Sequence, residues 1–142
     1  MRLCPPGTYQ LQSQANPLLF LGVTATGDEF VVINVAQPVT WTVEGTDFPQ
    51  HLWLPGAGGN RAYLHFGQSP LLAGPLDPSA IESQLGIFQQ PNGSYAIGNH
   101  DHSYIADQNG DQPSAGNPVI PWSVNVVSGP PQPNQLWILV PV

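Results

Sequence analysis

The sequence predicts an all-β chain, and three observations carry that prediction. Apolar residues never recur at helical spacing over a long window, because the 17 Pro and 15 Gly interrupt each candidate stretch. Short segments rich in β-branched and aromatic residues recur instead, divided by turn chemistry such as TGDE, GTDFPQ, GAGGN, QPNGS, DQNGD and SGPPQPNQ. Similar openings also return at nearly equal distances. Tyr9, Trp53 and Tyr95 are 44 and 42 residues apart, and Phe20-Leu21, Tyr63-Leu64 and Tyr104-Ile105 follow at 43 and 41.

Taken along the chain, the strand-like segments are TYQLQS, LLFLGVT, FVVINV, VTWTVE, HLWLPG, AYLHFG, LLAG, LGIFQ, SYAIGN, SYIAD, VIPWSVNVV and LWILV. Asn92-Gly93 and Asn109-Gly110 mark tight turns, since both residue types tolerate positive φ. Trp41, Ile87-Phe88 and Trp137 mark the closing strands of three repeats at looser spacing. Three repeats of four strands fit a β-trefoil, a six-stranded barrel closed by three hairpins, over a single domain 1–142 with repeats near 7–50, 51–92 and 93–142. Closure removes free sheet edges and gives the three repeats one shared core. Repetition argues for architecture, so Tyr9, Trp53, Tyr95 and Trp137 are expected to pack in that core.

Charge limits function. Charged residues make up 8% of the chain, with two Arg, no Lys and a formal charge of -7, against ~25% charged residues in an average soluble domain. Such a surface cannot neutralise a run of phosphates or hold anionic lipid through a basic patch, so neither nucleic acid nor membrane is expected as a partner. No long apolar run occurs, and MRLCPPGTY lacks the apolar region of a secretory signal, so a soluble intracellular protein is expected, with secretion by a non-standard route left open. Cys4, the sole cysteine, can form no internal disulfide and reads as a free thiol.

Chemistry-bearing motifs are sparse. On an extended strand His100 and His102 of Asn99-His100-Asp101-His102 would point to one side ~6–7 Å apart, yet as a hairpin turn they are turn formers, and no metal is expected. No nucleophile elbow, His-Glu-x-x-His or phosphate-cradling loop occurs, so neither an enzyme nor a cofactor is expected. Gly-Ala-Gly-Gly-Asn-Arg, by contrast, puts three glycines before Asn60 and Arg61, the one basic residue after position 2.

The chain resembles the β-trefoil protease inhibitors of mushrooms, the cospin-like serine protease inhibitors and more distantly the mycocypins, from PPGTYQL through GSYAIGNHDHSYIAD to PPQPNQLWILVPV. That resemblance implies a protease inhibitor acting through exposed loops, held extended by the barrel so that little ordering is needed on binding. The implied loops are Thr24–Asp28 (Thr24, Ala25, Thr26, Gly27, Asp28), Gly45–Gln50 and Gly56–Arg61. Within the last, Gly58, Gly59, Asn60 and Arg61 form the favoured protease-binding loop. Arg61 suits a trypsin-like protease, and Asn60 an asparagine-specific cysteine protease. TATGD has no Arg, Lys or Asn and so departs from the trypsin-directed pattern.

Related trefoils include lectins, which imply the alternative, a carbohydrate-binding protein whose partner is a glycan. A lectin pocket combines an Asp or Asn for sugar hydroxyls with an aromatic face, above a Gln-x-Trp triplet. Gln135-Leu136-Trp137 supplies that triplet in the third repeat, and Asp107, Asn109, Asp111 and Trp122 are the matching candidate sugar site.

Overall fold

The computed structural model describes residues 2–26, 29–110, 112–124 and 131–142. The segments form twelve strands: β1 Gly7–Ser13, β2 Phe20–Thr26, β3 Glu29–Val35, β4 Trp41–Glu44, β5 His51–Pro55, β6 Arg61–His65, β7 Leu72–Gly74, β8 Gly86–Gln89, β9 Tyr95–Gly98, β10 Tyr104–Asp107, β11 Ile120–Ser123 and β12 Trp137–Pro141. Period-2 alternation sets their faces. Trp41 and Val43 of β4 and Leu52 and Leu54 of β5 are buried, while their neighbours are partly exposed.

A barrel forms from β1, β4, β5, β8, β9 and β12. β1 pairs with β4 and β12, β4 with β5, and β9 with β8 and β12. A bridge between Gln50 and Leu85 joins the remaining pair, β5 and β8. Three hairpins, β2–β3, β6–β7 and β10–β11, cap the barrel. A ring of three backbone hydrogen bonds marks their pseudo-threefold relation: Val32 N–H donates to Leu71 O (3.0 Å), Leu71 N–H to Val119 O (2.9 Å) and Val119 N–H to Val32 O (2.9 Å). All three side chains are fully buried. The chain is a β-trefoil.

This symmetry corrects the repeat register. Tyr9 pairs with Trp41, Tyr95 with Trp137, and the corresponding bridge in the second repeat is Gln50 to Leu85. Gln50, not Trp53, is therefore the equivalent of Tyr9 and Tyr95, and Leu85, not Ile87-Phe88, that of the two tryptophans. An odd offset turns a strand residue to the opposite face, so Trp53 lies outside the core, half-buried, while Leu52 and Leu54 fill it. Gln50 is fully buried and satisfied. Its Nε2 donates to Cys4 O (2.7 Å) and Gly45 O (3.0 Å), and its Oε1 accepts from Ile87 N–H (3.1 Å). A polar residue with this many backbone partners is tolerated in a barrel wall.

The hairpins show a second slip, of one residue. Next to the hydrogen-bonded ring stand the pairs Gly22–Ile33, His65–Leu72 and Asp107–Ile120, and two pairs further out Phe20–Val35, Tyr63–Gly74 and Ile105–Trp122. Ile105-Ala106 thus matches Phe20-Leu21 and Tyr63-Leu64, and Tyr104 points to solvent. The buried thiol of Cys4, its pKa pushed up to about 11 by desolvation, packs in the core cluster.

Candidate functional site

The β10–β11 hairpin and the turn before β12 enclose a cleft of about 300 Å³, lined by Asp107, Asn109, Gly110, Ile120, Trp122, Gln132, Asn134 and Gln135. Strand alternation puts Ile105 and Asp107 on one face of β10, and their partners Trp122 and Ile120 on the same face of β11. The face therefore carries a carboxylate at one end and an indole, 54% exposed, at the other.

The Asp107 carboxylate is held by three amide donors. Asn109 N–H donates to its Oδ1 (2.6 Å), Gln135 Nε2 to its Oδ2 (2.8 Å) and Asn134 Nδ2 to both oxygens (3.3 Å each). Gln135 is locked in turn, since its Oε1 accepts from Gln132 N–H (2.9 Å), which fixes the orientation of its amide. Pro133–Gln135 is a single 3-10 turn ending at the buried Trp137 strand, so the triplet Gln135-Leu136-Trp137 puts one residue on the site and one in the core.

Gln108, fully buried beside Asp107, ties this arrangement to the rest of the barrel. Its Oε1 accepts from Ser13 Oγ (2.6 Å), its Nε2 donates to Leu136 O (3.4 Å), its N–H donates to Asn134 O (2.9 Å), and its own carbonyl accepts from Asn34 Nδ2 (3.2 Å). A carboxylate held in a rigid frame of amide donors, lining the same cleft as an exposed indole, suits a ligand that offers hydroxyl donors and an apolar C–H face.

The chain shares its fold with known inhibitors and lectins. The proteinase inhibitor from Coprinopsis cinerea superposes with a TM-score of 0.74 at 18% identity, covering 98% of this chain and 99% of that one. The Macrolepiota procera ricin B-like lectin, solved in complex with lactose, gives 0.73 at 16% identity and full coverage of both chains. A mosquitocidal holotoxin gives 0.75 at 20% identity, and the chain spans 16% of its length. No family model and no curated protein matches the sequence.

The other candidate residues are placed differently. Thr24, Ala25 and Thr26 are not loop residues but the end of β2, paired with Val31, Phe30 and Glu29; the strands run on because the β2–β3 ladder continues to that point. Gly27, Asp28 and, at the sugar site, Asp111 lie outside the described residues. Residues 57–60 form an exposed turn in which Gly58 (φ 67°) and Gly59 (φ 77°) need the left-handed region. Arg61 opens β6 and is engaged within the fold. Its Nη1 donates to Glu44 Oε1 (2.6 Å), and the guanidinium lies 4.2 Å from the Trp53 ring centroid. Trp53 Nε1 also donates to Glu44 Oε1 (2.9 Å). His100 and His102 fall in the β9–β10 turn, where His102 stands edge-on to Phe88 (4.4 Å) and Phe48 (5.2 Å).

Of the residues that build this cleft and its frame, Asn134, Gln132 and Gln108 escape sequence reasoning. Asn134 and Gln132 precede a recognisable triplet, but only the folded turn brings Asn134 onto Asp107 and Gln132 onto Gln135.

His65 occupies the place of Asp107 in the second repeat and is buried 3.6 Å from Glu29. Burial lowers its pKa below 6.5, against the opposing pull of Glu29 and Glu82. The folded state thus favours neutral imidazole, and the unfolded chain takes up its proton first as pH falls. This contribution to stability is complete above pH 6.5 and is lost as pH drops from there toward the folded pKa. Melting at pH 7.5 and 5.5 should show a larger acid-induced drop for wild type than for His65→Gln. Equal drops would show that His65 does not carry it.

Proposed function

We propose that the protein is a carbohydrate-binding β-trefoil that acts by recognition rather than catalysis, with its site in the cleft of Asp107, Asn109, Trp122, Asn134 and Gln135. The observation that carries this reading is the carboxylate triply fixed by amide donors on the same strand face as an exposed tryptophan. Sugar hydroxyls would donate to Asp107, and the apolar face of the ring would stack on Trp122. The lining holds no cation among the described residues, so a neutral sugar residue fits and an acidic one would meet a buried carboxylate of like charge. The lactose complex of the Macrolepiota procera lectin adds support, since that protein has the same fold. Binding on an array of neutral and acidic glycans tests the proposal. Neutral terminal residues should be retained, and a folded sample that binds none of them overturns it.

A second reading, a protease inhibitor, is supported by the exposed turn 57–60 and by the Coprinopsis cinerea neighbour. In that reading Asn60 is the better anchor, because Arg61 is already committed to Glu44 and Trp53. Inhibition of legumain in preference to trypsin, with no glycan bound, is the outcome that favours it.

A further inference from the structure

The threefold relation allows each element of the Asp107 cleft to be located in the other two repeats. By the paired positions, the carboxylate of Asp107 corresponds to Gly22 and His65, and the indole of Trp122 to Val35 and Gly74. The turn residues follow from the buried closing positions Trp41, Leu85 and Trp137. Counting back from these, Asn134 and Gln135 correspond to Pro38 and Val39 in the first repeat and to Glu82 and Ser83 in the second. The second assignment has independent support. Phe66 N–H donates to Glu82 O (2.9 Å) as Gln108 N–H does to Asn134 O (2.9 Å).

Both equivalent clefts are filled from within. In the first repeat Val35 leans onto Gly22 so closely that a Cβ there would lie 2.4 Å from a valine methyl. The acceptor is gone, its amide donors are replaced by Pro38 and Val39, and aliphatic carbon occupies the space. In the second repeat the aromatic platform is a glycine, and Glu29 reaches across from β3 to cover it. A Cβ on Gly74 would lie 2.6 Å from Glu29 Oε1. Where Asp107 would stand is His65, 6% exposed and facing Glu29. At the positions of Asp107 and Trp122, neither repeat has a carboxylate or an aromatic ring.

We infer that the chain has one carbohydrate site, in its third repeat, and engages a single glycan at a time, so that the monomer binds glycans without cross-linking them. The inference rests on the carbohydrate reading of that repeat. Its partner is thus one terminal residue of a neutral glycan, read by a monovalent protein; cross-linking requires a second copy joined to the first.

The test is stoichiometry per chain. Lactose and N-acetylgalactosamine are titrated calorimetrically into wild type and into the double variant Asp107→Asn, Trp122→Ala, with melting curves confirming that both are folded. One sugar per wild-type chain and none on the double variant is the expected result. Two or three per chain, or saturable binding by the double variant, overturns the single-site inference while leaving carbohydrate binding intact. No binding by wild type to either sugar or to a neutral glycan array overturns the carbohydrate reading itself, and this inference with it. A covalent tandem of two chains should agglutinate erythrocytes that display the bound glycan, and the single chain, monomeric by light scattering, should not. Agglutination by that monomer also overturns the inference.

Discussion

Asp107→Asn is expected to weaken glycan binding by at least ~100-fold while the chain stays folded, with a melting temperature lowered by the donor mismatch around the buried side chain. The substituted amide can still accept from Asn109 N–H through its oxygen, but its NH2 then faces Gln135 Nε2, donor against donor. Gln135 cannot turn its amide to relieve this without abandoning Gln132 N–H. The ligand also loses a charged acceptor, and hydrogen bonds to charged groups contribute ~1.5–3 kcal/mol each. Two such bonds are ~3–6 kcal/mol, and each ~1.4 kcal/mol is tenfold in affinity. Trp122→Ala should act on the same step through the other half of the sugar. Calorimetric titration checks both; affinity within threefold of wild type for Asp107→Asn would place the site elsewhere.

The second large effect is on stability. Trp41→Ala should cost ~3–5 kcal/mol, the range for truncating a fully buried tryptophan, lowering the melting temperature by roughly 10–20 °C. Trp41 is completely buried, and its Nε1 donates to Leu21 O (2.9 Å), so truncation leaves both a cavity and an unpaired carbonyl. Trp53→Ala should cost much less, because that ring lies on the barrel's outer face between Glu44 and the Arg61 guanidinium. Thermal melts of the two variants decide the register of β5 directly. Equal losses would restore Trp53 to the core.

Those two tryptophans show where the sequence is readable and where it is not. Both stand in similar apolar strand segments, and spacing alone aligned Trp53 with Tyr9 and Tyr95. The true equivalent is Gln50, three residues earlier, a polar side chain whose burial is made tolerable by Cys4 O, Gly45 O and Ile87 N–H. Those partners come from other strands and turns, so no hydrophobic pattern announces them. Tyr104-Ile105 misled in the same way by one residue, since an aromatic ring on a hairpin looks like a repeat marker whether it points in or out.

At the site, Asp107, Asn109, Trp122 and the Gln135 triplet were visible as residue types, and the cleft brings all four together. Arg61 stood out because the chain has so little positive charge, yet isolation in sequence did not mean freedom in space. Strand β4 delivers Glu44 to its guanidinium and β5 delivers Trp53 beneath it.

The sequence alone determined the fold class, and its scarcity of positive charge set the expectation that polyanionic partners are disfavoured. Turn chemistry, strand alternation and charge are local or additive properties, and they survive any choice of partner strand. Only the tertiary structure decided which face each strand buries, which of the three repeats has a carboxylate and an indole at the paired hairpin positions, and which turn amides clamp Asp107. Each of these depends on register across strands far apart in the chain, where a shift of one residue exchanges inside for outside.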